Sequence, residues 1–179
     1  MAETTTPLAD PAALARLTGL PVDDPDLLDA LNRASDRFRG AVGHSVTHVE
    51  RDEIVVDGDG SRSLLLPAVP VTAVHTVEVD GKPVTGYQWS RTGALRSAGC
   101  WPDRLGAVRV VYDHGYPLDA IPGDISDAVL EQAQMICDQT PGVASMSTGS
   151  VSVSYSRVGI TEAWSATVER YQVGRGDAA

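Results

Sequence analysis

Aromatic side chains are scarce in this 179-residue chain: they make up 5% of it, with one Phe and three Trp. Cysteine is scarcer. Cys100 and Cys137 are too few for a disulfide framework, so both are expected to be reduced and partly buried in a cytosolic setting. No apolar run approaches the roughly 20 residues that a membrane-spanning helix needs. The opening Met-Ala-Glu-Thr-Thr-Thr has no basic stretch followed by an apolar one, so no secretion signal is expected. Positive charge is also short. The formal net charge is −10, which argues against a sequence-reading nucleic-acid binder, because that function needs a basic footprint. A surface that DNA passes without sticking stays open, since like charge repels phosphate. Lys82 is the one lysine among 14 basic residues, a pattern read as coding bias.

Familiar chemistry is missing too. No Gly-x-Ser-x-Gly elbow and no phosphate-binding loop occurs. Gly58 and Gly60 lie in a hairpin turn, not between a strand and a helix, so they make no dinucleotide fingerprint. Asp57-Gly58-Asp59-Gly60 starts like a calcium loop, but the later ligands are absent at loop spacing and a turn explains it better. His44 and His48 are four residues apart, yet Gly43 ends the preceding helix and no cysteine or carboxylate completes a metal set. Asp113-His114 could hydrogen-bond as a catalytic pair. Next to Gly115-Tyr116 it reads as a turn that ends a strand. No metal, nucleotide or other cofactor is expected, and no enzymatic activity.

The hydrophobic share of 42% suffices for a core. The length fits one domain, with room for an inserted subdomain. Residues 1–9 read as a flexible arm. Asp10-Pro11 and Asp24-Pro25 each offer a cap followed by Pro at the first helical position, which predicts helices over 10–19 and 24–43. In the second, Leu27, Leu31, Ala34, Phe38 and Ala41 form one apolar stripe. Its other face carries Asp29, Arg33, Asp36, Arg37 and Arg39, read as a solvated face with a subunit contact through Arg33 and Arg37 as the alternative. A third helix is predicted over 122–140, with Asp124 and Asp127 near its start and Ile125, Val129, Ala133, Ile136 and Thr140 as its stripe. It stops at Pro141-Gly142.

Between them, residues 46–112 read as a small antiparallel sheet. Ile54–Val56 and Leu64–Leu66 flank a turn. Val74–Val79 meets Asp80-Gly81, the strongest short hairpin signal. Tyr87–Trp89, Ala94–Arg96 and Val108–Tyr112 are further strands. The expected class is therefore α+β: two long packed helices with short helices at either end, and an inserted antiparallel sheet. Residues 144–179 form an extended segment, with Val151, Val153 and Tyr155 alternating with serines, followed by a helix opening at Thr161 or Glu162. Trp164, Val168 and Tyr171 share one side of it, facing either a partner or the chain's own core.

The order of motifs from Val108 onward resembles that of the head–tail connector (adaptor) proteins of tailed bacteriophages. Val108, Val110 and Tyr112 form the strand, Gly115-Tyr116 follows, Pro122-Gly123-Asp124 starts the helix, and Ala128 and Ala133 lie inside it. Leu66–Val71 and Gly93–Leu95 before Cys100-Trp101-Pro102 resemble members with a β insertion. The resemblance spans roughly residues 24–140. It implies a connector domain over 10–143, with 144–179 as the natural clamp on a partner. It also implies a structural virion protein assembled in the host cytoplasm. That protein would form a ring, expected to be a dodecamer, between a portal protein and a stopper or tail-completion protein. DNA would pass through the channel without specific binding, and no membrane would be involved. Trp164, Val168, Tyr171, Tyr155, Arg33 and Arg37 are the candidate portal or subunit contacts. A small non-catalytic binding or decoration module that grips its ligand with the β insertion is the alternative. An enzyme relying on Asp113 or His114 is a third.

Overall fold

Both Asp-Pro pairs start helices. The Asp10 carboxylate accepts the Ala12 N–H at 2.9 Å, and Pro11, with no N–H to lose, opens α1 (Pro11–Thr18). Asp24 accepts the N–H groups of Asp26 and Leu27 at 2.9 and 3.3 Å at the start of α2 (Pro25–Val42). The third helix, α3, runs Gly123–Cys137. Thr161 caps α4 (Glu162–Tyr171), its hydroxyl accepting the Trp164 N–H at 3.1 Å.

The computed structural model describes residues 6–138, 145–148, 151–154 and 161–173. The chain divides into two compact units, a helical one of residues 1–42 with 121–172 and a β unit of 43–120 with 173–179. The class is α+β, with four α-helices and a four-stranded antiparallel sheet among the described residues.

In the helical unit, α2 buries Leu27, Ala30, Leu31, Ala34, Ser35, Phe38 and Val42. The expected stripe differs at its end, where Ala41 is only half-buried. Steps of three and four from Phe38 reach Ala41 and Val42 alike, and the larger side chain takes the core. α3 contributes Ile125, Ala128, Val129, Gln132 and Ala133, while Ile136 is half-buried. Thr140, Pro141 and Gly142 lie outside the described residues. The flexible arm needs correcting at its end: Leu8 and Ala9 are buried. The Leu8 N–H donates to the Ser35 hydroxyl at 3.0 Å, and its carbonyl accepts from Ser126 at 3.0 Å. An apolar side chain next to a helix start has a core to reach, and its backbone groups find partners there.

The strands in chain order are β1 (Val49–Asp59), β2 (Ser63–Leu65), β3 (Val71–Val79), β4 (Lys82–Pro83), β5 (Gln88–Trp89), β6 (Ala94–Arg96) and β7 (Asp103–His114). β8 (Ser145–Thr148) and β9 (Val151–Ser154) form an antiparallel hairpin. Two sheets stand where one was expected: β1-β7-β3-β4 and β2-β6-β5. β1 does not pair with β2 across the Asp57–Gly60 turn; it pairs with β7, and β2 with β6. A turn sets proximity, whereas pairing follows the faces that find cover, and Leu64 and Leu66 are buried with Leu95. Val108, Val110 and Tyr112 alternate with exposed Arg109 and half-buried Val111, the period of a strand with one covered face. They join Val71, Val77 and Trp101 in the core of the β unit.

Two glycines are required by geometry. Asp80 and Gly81 have φ of +53° and +70°, the two positive values of a tight hairpin turn between β3 and β4. Gly115 has φ +89°, and a Cβ there would lie 2.3 Å from the Thr47 carbonyl oxygen. Past it, the Tyr116 N–H bonds the Val46 carbonyl and the His48 N–H bonds the Tyr116 carbonyl, both at 2.8 Å. The Gly-Tyr pair thus seats the end of β7 against residues 46–48.

Candidate functional site

Trp164 is buried, and its ring meets Phe38 edge-to-face with centroids 5.4 Å apart and planes at 88°. That geometry suits the ring quadrupoles and adds about 0.5–1.5 kcal/mol beyond burial. Thr167 is buried beside it, with Val168 and Tyr171 half-buried. Of the two alternatives for this stripe, the structure shows it folded onto the chain's own helices.

Polar contacts tie α4 down at both ends. The Thr161 hydroxyl donates to Glu131 at 3.0 Å. At the other end Asp124 collects three donors: Arg170 Nη1 at 2.7 Å, the Tyr171 hydroxyl at 2.9 Å and the Ile125 N–H at 3.0 Å. The Gln172 amide reaches the Ala41 carbonyl at 2.8 Å. Asp124, expected only to favour the helix dipole, is therefore the anchor of the last helix. Nothing in the spacing of Asp124 and Tyr171, 47 residues apart, could have shown it.

Arg33 and Arg37 are exposed on α2. Arg33 lies 3.6 Å from Asp29, one helical turn away, a surface pair worth a few tenths of a kcal/mol. Tyr155 lies outside the described residues.

Asp113 and His114 point into different networks. Asp113 Oδ1 accepts the Arg51 N–H at 2.7 Å and faces His75 Nε2 at 2.7 Å. Arg51 has φ +50°, and both β1 and β3 shift register beside Asp113. The carboxylate thus satisfies backbone freed where the ladders break. The Arg51 N–H, then His75, holds Asp113 below the ordinary carboxylate range. His114 is buried, its Nε2 lying 3.1 Å from Asp52. Burial outweighs that hydrogen bond and depresses the imidazole below its ordinary value. Burial, and then the Asp52 charge, pushes the Tyr112 hydroxyl up to about 12. Asp113 and His114 are thus buried or engaged in structural hydrogen bonds. No cluster of three metal-binding side chains exists among the described residues. Cys137 is half-buried and its thiol is pushed up, chiefly by burial; Cys100, expected to be partly buried, is exposed.

Of the large apolar exposures in the β unit, Leu105 and Leu118 lie outside the strands expected from the sequence, whereas Val55, Leu65 and Trp89 lie within them. Leu105 is 81% exposed and Val55 62%, with Leu65, Leu118 and Trp89 following. A signal existed: Gly106 interrupts the run into β7, and glycine inside a strand often marks a bulge. No helix among the described residues is long and apolar enough to cross a membrane.

No protein-family profile matches the sequence, and no curated protein matches it. Solved structures do. A chain from the virion of a native gene transfer agent (GTA) particle is 18% identical, with 99% of this chain and 97% of that chain covered at a TM-score of 0.62. A chain from the neck of the native GTA particle, computed with C12 symmetry, is 20% identical over 99% and 96% at 0.59. One from the neck of the empty particle, computed with C6 symmetry, is 19% identical over 99% and 96% at 0.58. At these identities the shared property is the fold, over nearly the whole of each chain.

Proposed function

We propose that this protein is a non-catalytic structural component of the neck of a phage-like particle. In this reading it is the head-to-tail adaptor, a ring of copies that extends the DNA channel from a portal protein toward a stopper or tail-completion protein. The observation that carries the reading is the full-length likeness in fold to two neck chains. The order of motifs from Val108 to Ala133 supports it independently. So does the charge: a wall built from a chain of net charge −10 repels phosphate and lets DNA slide.

The domain carrying helices and β insertion, residues 10–143, would build the ring body, and 144–179 would clamp the portal. Within the contact set, Trp164 acts by seating α4 on the core. Val168, Tyr171, Arg33 and Arg37 keep exposed atoms for a partner, with Tyr155 in the linking segment. Flexible segments that order on binding draw on the interface free energy that they create.

Particles assembled without this protein test the role. They should fill with DNA, fail to join tails and leak, and purified protein added back should restore tail joining. Normal tail joining in its absence would sink the proposal.

A further inference from the structure

The four histidines of the chain, His44, His48, His75 and His114, gather at one end of the β unit. Three of them stand against carboxylates. His75 Nε2 is 2.7 Å from Asp113, His114 Nε2 is 3.1 Å from Asp52, and His48 Nε2 is 3.8 Å from Glu50. His44 and His48 are close enough for their charges to act on His114. The gathering falls where β7 loses register with both neighbours. Between the pairs Val49–His114 and Asp52–Tyr112, β1 advances three residues while β7 advances two. Between Val71–His114 and Ala73–Asp113, β3 advances two while β7 advances one.

His114 is the enclosed member, 2% exposed, with Val49 of β1 and Val71 of β3 opposite it in the two ladders. A carboxylate only accepts, so the proton of the neutral ring sits on Nε2 toward Asp52 and the lone pair on Nδ1. Nδ1 is buried and has no hydrogen-bond partner among the described residues. A second proton there creates a buried donor with nothing to accept it. Asp52 favours that proton; burial outweighs it, and charge on His44 or His48 opposes it further. The other titratable or charged groups near the ring are Glu50 and Arg51 on β1, Tyr112 and Asp113 on β7, and His75 on β3.

A protonated ring reaches water only if one flank leaves. β1 is an outer strand, whereas β3 is held between β7 and β4. The β1 flank also carries Arg51 at φ +50°, a strained backbone for a residue with a side chain. The β3 flank tightens in acid, because a proton on His75 turns its bond to Asp113 into a charged pair. Asp113, held below the ordinary carboxylate range, keeps its charge meanwhile. We propose that this end of the β unit is an acid-operated seam: a proton on His114 releases residues 46–52 from β7, while β3 stays paired with β7. The device lies within the β unit and stands independently of the neck reading.

Amide hydrogen exchange on the full-length protein tests the seam at about pH 7.5 and about pH 5.5, read as protection factors so that the intrinsic pH dependence of exchange cancels. The His48, Arg51 and Tyr116 amides make the bonds that cross the seam, to the Tyr116 carbonyl, Asp113 and the Val46 carbonyl. They should lose protection at the lower pH by up to about tenfold, the ceiling for an imidazole of ordinary value 6.5 taken about one unit below it. The Gly115 amide, bonded to the Pro70 carbonyl, and those of the β3–β7 ladder should keep theirs. His114→Gln should abolish the loss, and His75→Gln should leave it in place. Unchanged protection in the wild type, a loss shared equally by the β3–β7 ladder, or a loss that survives His114→Gln overturns the seam. If His114→Gln does not fold, ring-proton NMR of the wild type decides. Protonation of His114 must then coincide with the loss at the three amides, and a ring that titrates at its ordinary value while they stay protected overturns the proposal.

Discussion

Trp164 and Leu105 are both large apolar side chains on elements that end near a surface, and the fold treats them oppositely. Trp164 is 5% exposed and Leu105 is 81% exposed. The helix carrying Trp164 is held on both flanks by polar side chains, Thr161 with Glu131 and Tyr171 and Arg170 with Asp124. These fix its rotation, so Trp164 and Thr167 turn inward while Val168 and Tyr171 stay half-buried. Leu105 belongs to a backbone whose regular pleat is broken, and the same kind of carboxylate bond, Asp57 to the Gly106 N–H, holds it outward. The difference teaches that an aromatic stripe is spent on the core when polar groups can lock its helix. Where backbone irregularity breaks the pleat, an apolar side chain stays exposed.

The largest expected effect tests the buried half. Trp164→Ala should destabilise the helical unit by about 3–5 kcal/mol, the cost of emptying a packed aromatic site. Denaturant unfolding followed by circular dichroism measures it. A loss below about 1 kcal/mol, the range of surface substitutions, would break the contrast with Leu105.

A smaller effect separates the two units by pH. His114 is depressed by burial from an ordinary value of 6.5, so the unfolded chain binds its proton at higher pH than the folded one. The neutral imidazole's contribution is complete above 6.5 and is lost as pH falls from there toward the depressed folded value. Melting of the wild type should therefore fall from about pH 6.5 downward within the histidine range. His114→Gln should flatten that segment of the profile, and the effect should appear in the β unit. An unchanged slope in the variant would assign the loss to other groups.

Much of the fold was legible because local chemistry agreed with the tertiary outcome. Asp10-Pro11 and Asp24-Pro25 cap the helices they were expected to cap, the last helix opens at Glu162, one of its two expected starts, and Asp80-Gly81 turns its hairpin. What stayed hidden was long-range. Period-two alternation marks a strand but not its neighbour, so β1 pairing with β7 in place of β2 was out of reach. Leu8 looked like part of an arm because its partner, Ser35, lies 27 residues on. Periodicity drew attention to Trp164, Val168 and Tyr171 as a face without saying what covers it. It passed over Leu105, because a bulge has no period.

Electron microscopy of the purified protein added to portal from the same genome tests the central claim most directly. The protein should form a closed ring of copies on the portal. Copies that bind without touching one another, or a portal left bare at saturating protein, would contradict it.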